Sequence, residues 1–147
     1  MDSNEVVNAF QNDSLGSDDA VGIANKIKKG ELSASLVTQD AIERAKAVNP
    51  KLNAITVENF DLAQTNSEKP FSGFFQGVPT FIKDTDEVPG LPLYLGSRSL
   101  PGEPSDKYSK AAKQIIDTGL NCLGTTTTPE FGLTGTTESL RFGATCN

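Results

Sequence analysis

A chain of 147 residues is long enough to bury the core of one ordinary domain. Its formal net charge is −6 and it has no basic cluster, which argues against a nucleic acid or an anionic membrane surface as partner. It contains no histidine, so a Ser-His-Asp triad within the chain is excluded, and with only two separated cysteines a zinc site has little to build on. Cys122 and Cys146 form no close motif and are expected as free thiols. The start of the chain carries Asp2, Glu5 and Asp13 and has no apolar run long enough for a signal peptide or a membrane span, so a cytoplasmic protein is expected.

Residues 1–16 are polar and read as a poorly ordered arm, with the domain proper at 17–147. Ser17 is positioned to cap a first helix, Asp18 and Asp19 suit its positive end, and Ala20, Ile23, Ala24 and Ile27 make one apolar face. Lys26, Lys28 and Lys29 fall toward its negative end, and Gly30 is a stop. Ser33 opens a second helix with Val37, Ala41, Ala45 and Val48 on one stripe, widened by Leu36 and Ile42, and Asn49-Pro50 is expected to end it. Both helices read as structural cover.

Residues 52–58 alternate Ile55 and Val57 as a strand does, and Phe60, Leu62 and Ala63 suggest a short helix broken by Glu68-Lys69-Pro70. Phe74 and Phe75 fit either a substrate contact or a core anchor, and the large area an aromatic ring buries favours the anchor. The run Gly77-Val78-Pro79-Thr80-Phe81-Ile82-Lys83-Asp84 reads as a buried strand that delivers Lys83 to a loop edge, where Asp84 begins a polar turn. A lysine held among apolar neighbours is disfavoured as an ammonium, which makes Lys83 a candidate base.

From there to Pro104 no regular period survives, as expected for a loop that forms the wall of a site. Ser97 and Ser99, beside Arg98, are candidate nucleophiles, but hydrogen-bonding loop serines are the simpler reading. Ser105 or Asp106 is placed to cap a third helix whose apolar face is Tyr108, Ala111, Ala112 and Ile115, with Gly119 closing it. A strand over 120–124 then completes a strand-helix-strand unit of an α/β layer. Thr125 to Thr128 follow as a strand or turn whose hydroxyls are placed to line a site. Glu130 opens a one-turn helix and is by itself a candidate general acid, but contact with backbone donors at the helix N-terminus is the simpler reading, and the remainder to Asn147 reads as an irregular tail.

Several of these blocks come in a familiar order. Gly77-Val78-Pro79-x-x-Ile82-Lys83-Asp84, then Gly96-Ser97, then Gly124-Thr125-Thr126-Thr127-Thr128-Pro129-Glu130-Phe131-Gly132, then Phe142-Gly143-Ala144-Thr145-x-Asn147 resemble the amidase signature family, and Asn49-Pro50-x-Leu52-Asn53-Ala54 resembles its N-terminal region. The resemblance implies an α/β fold: the N-terminal part of a large mixed β-sheet covered by helices, truncated and incomplete at its C-terminus. It implies hydrolysis of an amide bond by a Ser-cisSer-Lys triad, with Lys83 as general base, an acyl-enzyme intermediate, and no metal or organic cofactor.

The family's Gly-Gly-Ser-Ser-Gly-Gly block, which carries the cis-serine, and its nucleophilic serine have no counterpart in the 147 residues. Thr125 and Thr127 also stand where the family often has lysine and asparagine. The resemblance therefore implies the N-terminal piece of an amidase, from an interrupted gene, an early stop or a deliberate cut, inactive and marginally stable alone. Unpaired strand edges and apolar surface are expected, with self-association or a complementary C-terminal fragment as rescue. Small-molecule amides are the implied substrates of the whole enzyme. The competing readings are a non-catalytic α/β interaction module that binds another chain through an exposed sheet edge, and a self-contained hydrolase pairing Ser97 or Ser99 with Lys83.

Overall fold

The computed structural model describes residues 7–146. At its centre is a three-stranded mixed sheet in the order β1-β3-β2, made of β1 (Ile55–Glu58), β2 (Pro79–Lys83) and β3 (Asn121–Thr126). β1 runs antiparallel to β3, and β2 runs parallel to it. Four helices surround the sheet: α1 (Ala20–Lys28), α2 (Ala34–Leu52), α3 (Phe60–Ser67) and α4 (Lys110–Ile116). The parallel pair needs a crossover, and α4 with the long loop before it supplies one. Among the described residues no helix is long and apolar enough to cross a membrane.

Successive strand residues face opposite sides of a sheet, and β2 and β3 use both sides. Phe81 and Leu123 join Ile42, Ala45, Phe60 and Ala63 of α2 and α3 in one cluster. Ile82 and Cys122 join Val88, Leu91 and Ala112 in a second, on the α4 side. A third cluster gathers Ile23 and Ala24 of α1, Val37 of α2, and Val78 with partly buried Leu120, which immediately precede β2 and β3. The α1 helix therefore closes the starting end of the parallel strands and leaves the opposite end, where Lys83 lies, to the loops.

Several boundaries differ from the sequence expectation. The α1 cap is Asp19, whose Oδ1 accepts the Gly22 N–H at 2.8 Å, two residues past Ser17. The delay comes from a turn at 13–18, closed by Gly16 N–H to Asp13 O at 3.2 Å and Asp18 N–H to Leu15 O at 3.1 Å. Of the segment expected as an arm, residues 1–6 lie outside the described residues, and Asp13 to Gly16 are fastened to α2. Arg44 donates to Asp13 from Nε at 2.7 Å and from Nη2 at 2.6 Å, and also to Gly16 O at 2.8 Å. This fork, with both side chains largely buried, holds the Asp13 carboxyl below the usual carboxylate range.

Ser33 caps α2 as expected, accepting the Leu36 N–H at 3.1 Å. The helix does not stop at Asn49-Pro50 but runs on to Leu52 and ends at Asn53, which takes a left-handed φ of 51° and returns its N–H to Asn49 O at 2.7 Å. Its buried stripe includes Thr38, an unexpected member, because Asn121 Nδ2 donates to Thr38 Oγ1 and to Ala63 O, both at 3.0 Å. The α4 cap is Ser109, which accepts the Ala112 N–H at 3.1 Å and donates to Asp86 Oδ1 at 2.7 Å, so the residues expected as caps, Ser105 and Asp106, stay in the loop. Phe75 packs against the α1 cluster, but Phe74 is 60 % exposed and meets it only edge-on at 5.0 Å, so only one ring of the pair is an anchor.

Residues past β3 are not an irregular tail. A single 3-10 turn (Glu130–Gly132) leads into a two-stranded antiparallel hairpin of β4 (Glu138–Ser139) and β5 (Gly143–Ala144). Asn53 holds that hairpin, with Nδ2 donating to Phe142 O at 2.7 Å and Ala144 O at 3.0 Å while its carbonyl accepts the Thr145 hydroxyl at 2.8 Å.

Gly124 shows how closely β1 and β3 approach. Its φ is 146°, and a Cβ there would lie 2.2 Å from Val57 O. Gly124→Ala is expected to destabilise the fold by about 2–3 kcal/mol through forced separation of the strands. The check is urea unfolding: a midpoint lowered by about 1 M is expected, and an unchanged midpoint would contradict this account.

Candidate functional site at the ends of the parallel strands

Lys83 is the last residue of β2 and lies opposite Thr126, the last residue of β3. Its main chain is fixed on both sides: Asp84 N–H donates to Thr126 O at 2.9 Å, and Asp86 N–H donates to Lys83 O at 3.0 Å. Asp86 in turn accepts from Ser109 at the head of α4 and, at 3.1 Å, from Thr85 Oγ1. The expected apolar surroundings of the lysine are not found. Lys83 is exposed, because β2 ends there and lies at the edge of the three-stranded sheet. The strand thus presents an amine on a stiff main chain with its side chain open.

The group that organises the surrounding loop is Asp84. It is 0 % exposed, with Oδ1 accepting the Tyr94 N–H at 3.0 Å and Oδ2 accepting the Gly96 N–H at 3.2 Å. Two main-chain amides converging on one carboxylate form an anion-binding nest. Burial pushes the Asp84 carboxyl above its ordinary value, while the two amides and the nearby Arg141 charge pull the other way. Sequence reading assigned Asp84 only the start of a turn; its one signal was its place immediately after Lys83 at a strand end.

Arg141 holds the same loop from the other direction. Its Nη1 donates to Ser97 O and Leu100 O, both at 3.1 Å, and its guanidinium lies 3.9 Å from the Tyr94 ring centre. Nothing in the local pattern around Arg141 distinguishes it from a solvated arginine. Its partners are more than 40 residues away in sequence.

Ser97 and Ser99 are the hydrogen-bonding loop serines the sequence suggested. Their hydroxyls are 2.9 Å apart, and Ser99 N–H donates to Ser97 Oγ at 3.1 Å. Ser97 is 1 % exposed and its hydroxyl donates to Glu130 Oε1 at 2.5 Å, which removes it from any incoming carbonyl. Glu130 is accordingly not a partner of helix N–H groups as expected; it is spent on Ser97. Thr125 and Thr126 belong to β3, with Thr125 and Thr128 buried, and Thr127 bonds to Thr145 Oγ1 at 2.8 Å. Thr127 thus has a bonded structural role, whereas the Thr125 and Thr128 hydroxyls are buried without a hydrogen-bond partner among the described residues.

The two loops interlock. Phe131 N–H donates to Leu95 O at 2.8 Å, and an added Cβ at Gly96 would strike Thr128 O at 2.4 Å. Leu95 and Phe131 take left-handed φ values of 49° and 53°, each costing about 1–2 kcal/mol for a residue with a side chain. A cleft of about 290 Å³ is lined by Pro129, Glu130, Thr136 and Leu140 among others. Leu133 and Leu140 stand 81 % and 74 % exposed on the same terminal segment. Cys122 is buried and Cys146 exposed, both as free thiols.

Because Asp84 is raised, its contribution to stability is complete when protonated and is lost as pH rises from the ordinary carboxylate range through its raised value. Asp84→Asn removes that titration. The wild type should therefore lose stability relative to the Asn variant as pH goes from about 4 to 7. Unfolding midpoints of both proteins across that range test this, and parallel pH curves would refute it.

This arrangement has known relatives. A sequence profile described as Amidase matches residues 36–147. A Mycobacterium leprae protein that bears the amidase name AmiC is 40% identical over 141 residues, covering 96% of this chain and 30% of its own length. The 6-aminohexanoate-cyclic-dimer hydrolase of Paenarthrobacter ureafaciens is 33% identical over 132 residues, covering 88% of this chain and 27% of its own. A solved structure of 6-aminohexanoate cyclic dimer hydrolase complexed with substrate superposes with a TM-score of 0.82 at 33% identity, again over 88% of this chain and 27% of the other. The chain thus spans about 30% of the length of the relatives it matches. With three quarters of its residues inside the matched profile and the same mixed α/β architecture, the chain belongs to the amidase family.

Proposed function

We propose that this chain is the lysine-bearing portion of an amide hydrolase, with Lys83 as its general base. The observation that carries the reading is the setting of Lys83: a fixed main chain, an open side chain, and a position at the shared end of two parallel strands in a fold matched at TM-score 0.82 by an amide hydrolase. In the complete active site the Lys83 amine takes a proton, through an intervening serine, from a nucleophilic serine hydroxyl. That oxygen attacks the carbonyl of a small-molecule amide, the amine leaves with a proton, and water releases the acid from the acyl-enzyme. The sequence holds no Gly-Ser-Ser-Gly block, so both serines and the oxyanion donors come from outside these 147 residues.

On this reading the chain alone is inactive and works in the cytoplasm with a complementary portion of the fold, without nucleic acid or membrane. The exposed Phe131, Leu133 and Leu140 support a docking face there, since large apolar side chains left in water favour burial against another surface.

Two outcomes are expected. The isolated chain releases no acid from a panel of linear and cyclic amides, whereas the longer protein, as one polypeptide or reconstituted from this chain and its complement, does. In that active form Lys83→Ala lowers kcat by about 10²–10⁴-fold. An active isolated chain would overturn the division of the site, and an undiminished Lys83→Ala enzyme would overturn the base assignment.

A further inference from the structure

We propose that Asp84 and Arg141 together form a charged clamp on the 94–100 loop, and that Asp84 is a positioning residue for the reaction assigned to Lys83. The inference rests on that reading of Lys83.

The clamp grips one loop by its two kinds of main-chain group. The carboxylate of Asp84 receives the Tyr94 and Gly96 N–H groups, and the guanidinium of Arg141 reaches the Ser97 and Leu100 carbonyls. The loop thus lies between a buried anion and a stacked cation, with amides turned to the first and carbonyls to the second. Left-handed Leu95 and Gly96 make this division possible, since they turn the chain so that alternate N–H groups converge.

The anion end of the clamp is covalently the next residue after the base. Asp84 N–H is also bonded to Thr126 O, so the peptide linking Lys83 to Asp84 is held by β3 on one side and through the Asp84 side chain by the loop on the other. Any shift of the 94–100 loop is transmitted to the main chain of Lys83. Burying a carboxylate works against stability, and here two amide donors, one on each oxygen, offset that cost and fix the residue next to Lys83 by short, directional bonds.

The test uses the active protein, as one polypeptide or reconstituted. Asp84→Asn keeps the shape but cannot accept both amides. It is expected to lower kcat by about 30–100-fold with KM within twofold of wild type. Exchange of the Tyr94 and Gly96 amide hydrogens should rise about 10-fold or more while β3 amides keep their protection. Lys83→Ala is measured beside it. Loss of activity in Lys83→Ala together with kcat within threefold of wild type in Asp84→Asn overturns this proposal alone. Full activity in Lys83→Ala overturns the base assignment and this proposal with it. Should Asp84→Asn lose protection throughout β3, Arg141→Met decides: about a 10-fold fall in kcat at constant KM supports the clamp, and an unchanged kcat refutes it.

Discussion

The parallel pairing of β2 with β3 is the constraint from which most of this architecture follows. Two parallel neighbours cannot be joined by a turn, so the chain leaves the end of β2, crosses a face of the sheet and returns to the start of β3. The crossover brings α4 over Ile82 and Cys122, and it leaves the long loop stacked beyond the finishing ends of both strands. The same pairing sets Lys83 opposite Thr126 and so brings the loop after β3 beside the loop after β2. The position of the proposed site at that end follows the topology: open α/β sheets place their sites at the carboxyl ends of strands because there the connecting loops diverge.

The elements with strong periodicity were legible in the sequence. The apolar stripes of α1 and α2 and the Pro-Thr-Phe-Ile-Lys strand are where local pattern puts them, and β1 forms where its residues suggest, but Ile55 and Val57 pack on opposite sides of the sheet because the register shifts between them. The caps of α1 and α4 were not, because several serines and aspartates stand near each start and only tertiary contacts decide among them. Asp19 wins over Ser17 once Asp13 and Arg44 have closed the preceding turn, and Ser109 wins because Asp86 receives its hydroxyl. The buried Thr38 and Asn121 escaped a search for apolar residues because each is acceptable inside only through the other.

The site divided in the same way. Lys83 was visible as a lone cation ending an apolar strand, but its exposure depends on which strand forms the sheet edge, a fact of topology and not of local sequence. Asp84 and Arg141 are separated by 57 positions and meet only through a loop that has no period of its own. Glu130 looked like a helix-end carboxylate, yet the 3-10 turn beneath it is too short to gather donors, and Ser97 satisfies it instead. In each case the missing information was a long-range partner.

Asn53 carries a consequence of a different kind. One residue ends α2, and its side chain and carbonyl secure the β4–β5 hairpin across 89 to 92 positions of sequence. Closing a chain segment of that length costs about 4 kcal/mol in lost freedom before any of the three bonds forms. The docking of the hairpin on the end of α2 is therefore a contact of high sequence separation, the kind that raises contact order and slows folding relative to local pairings.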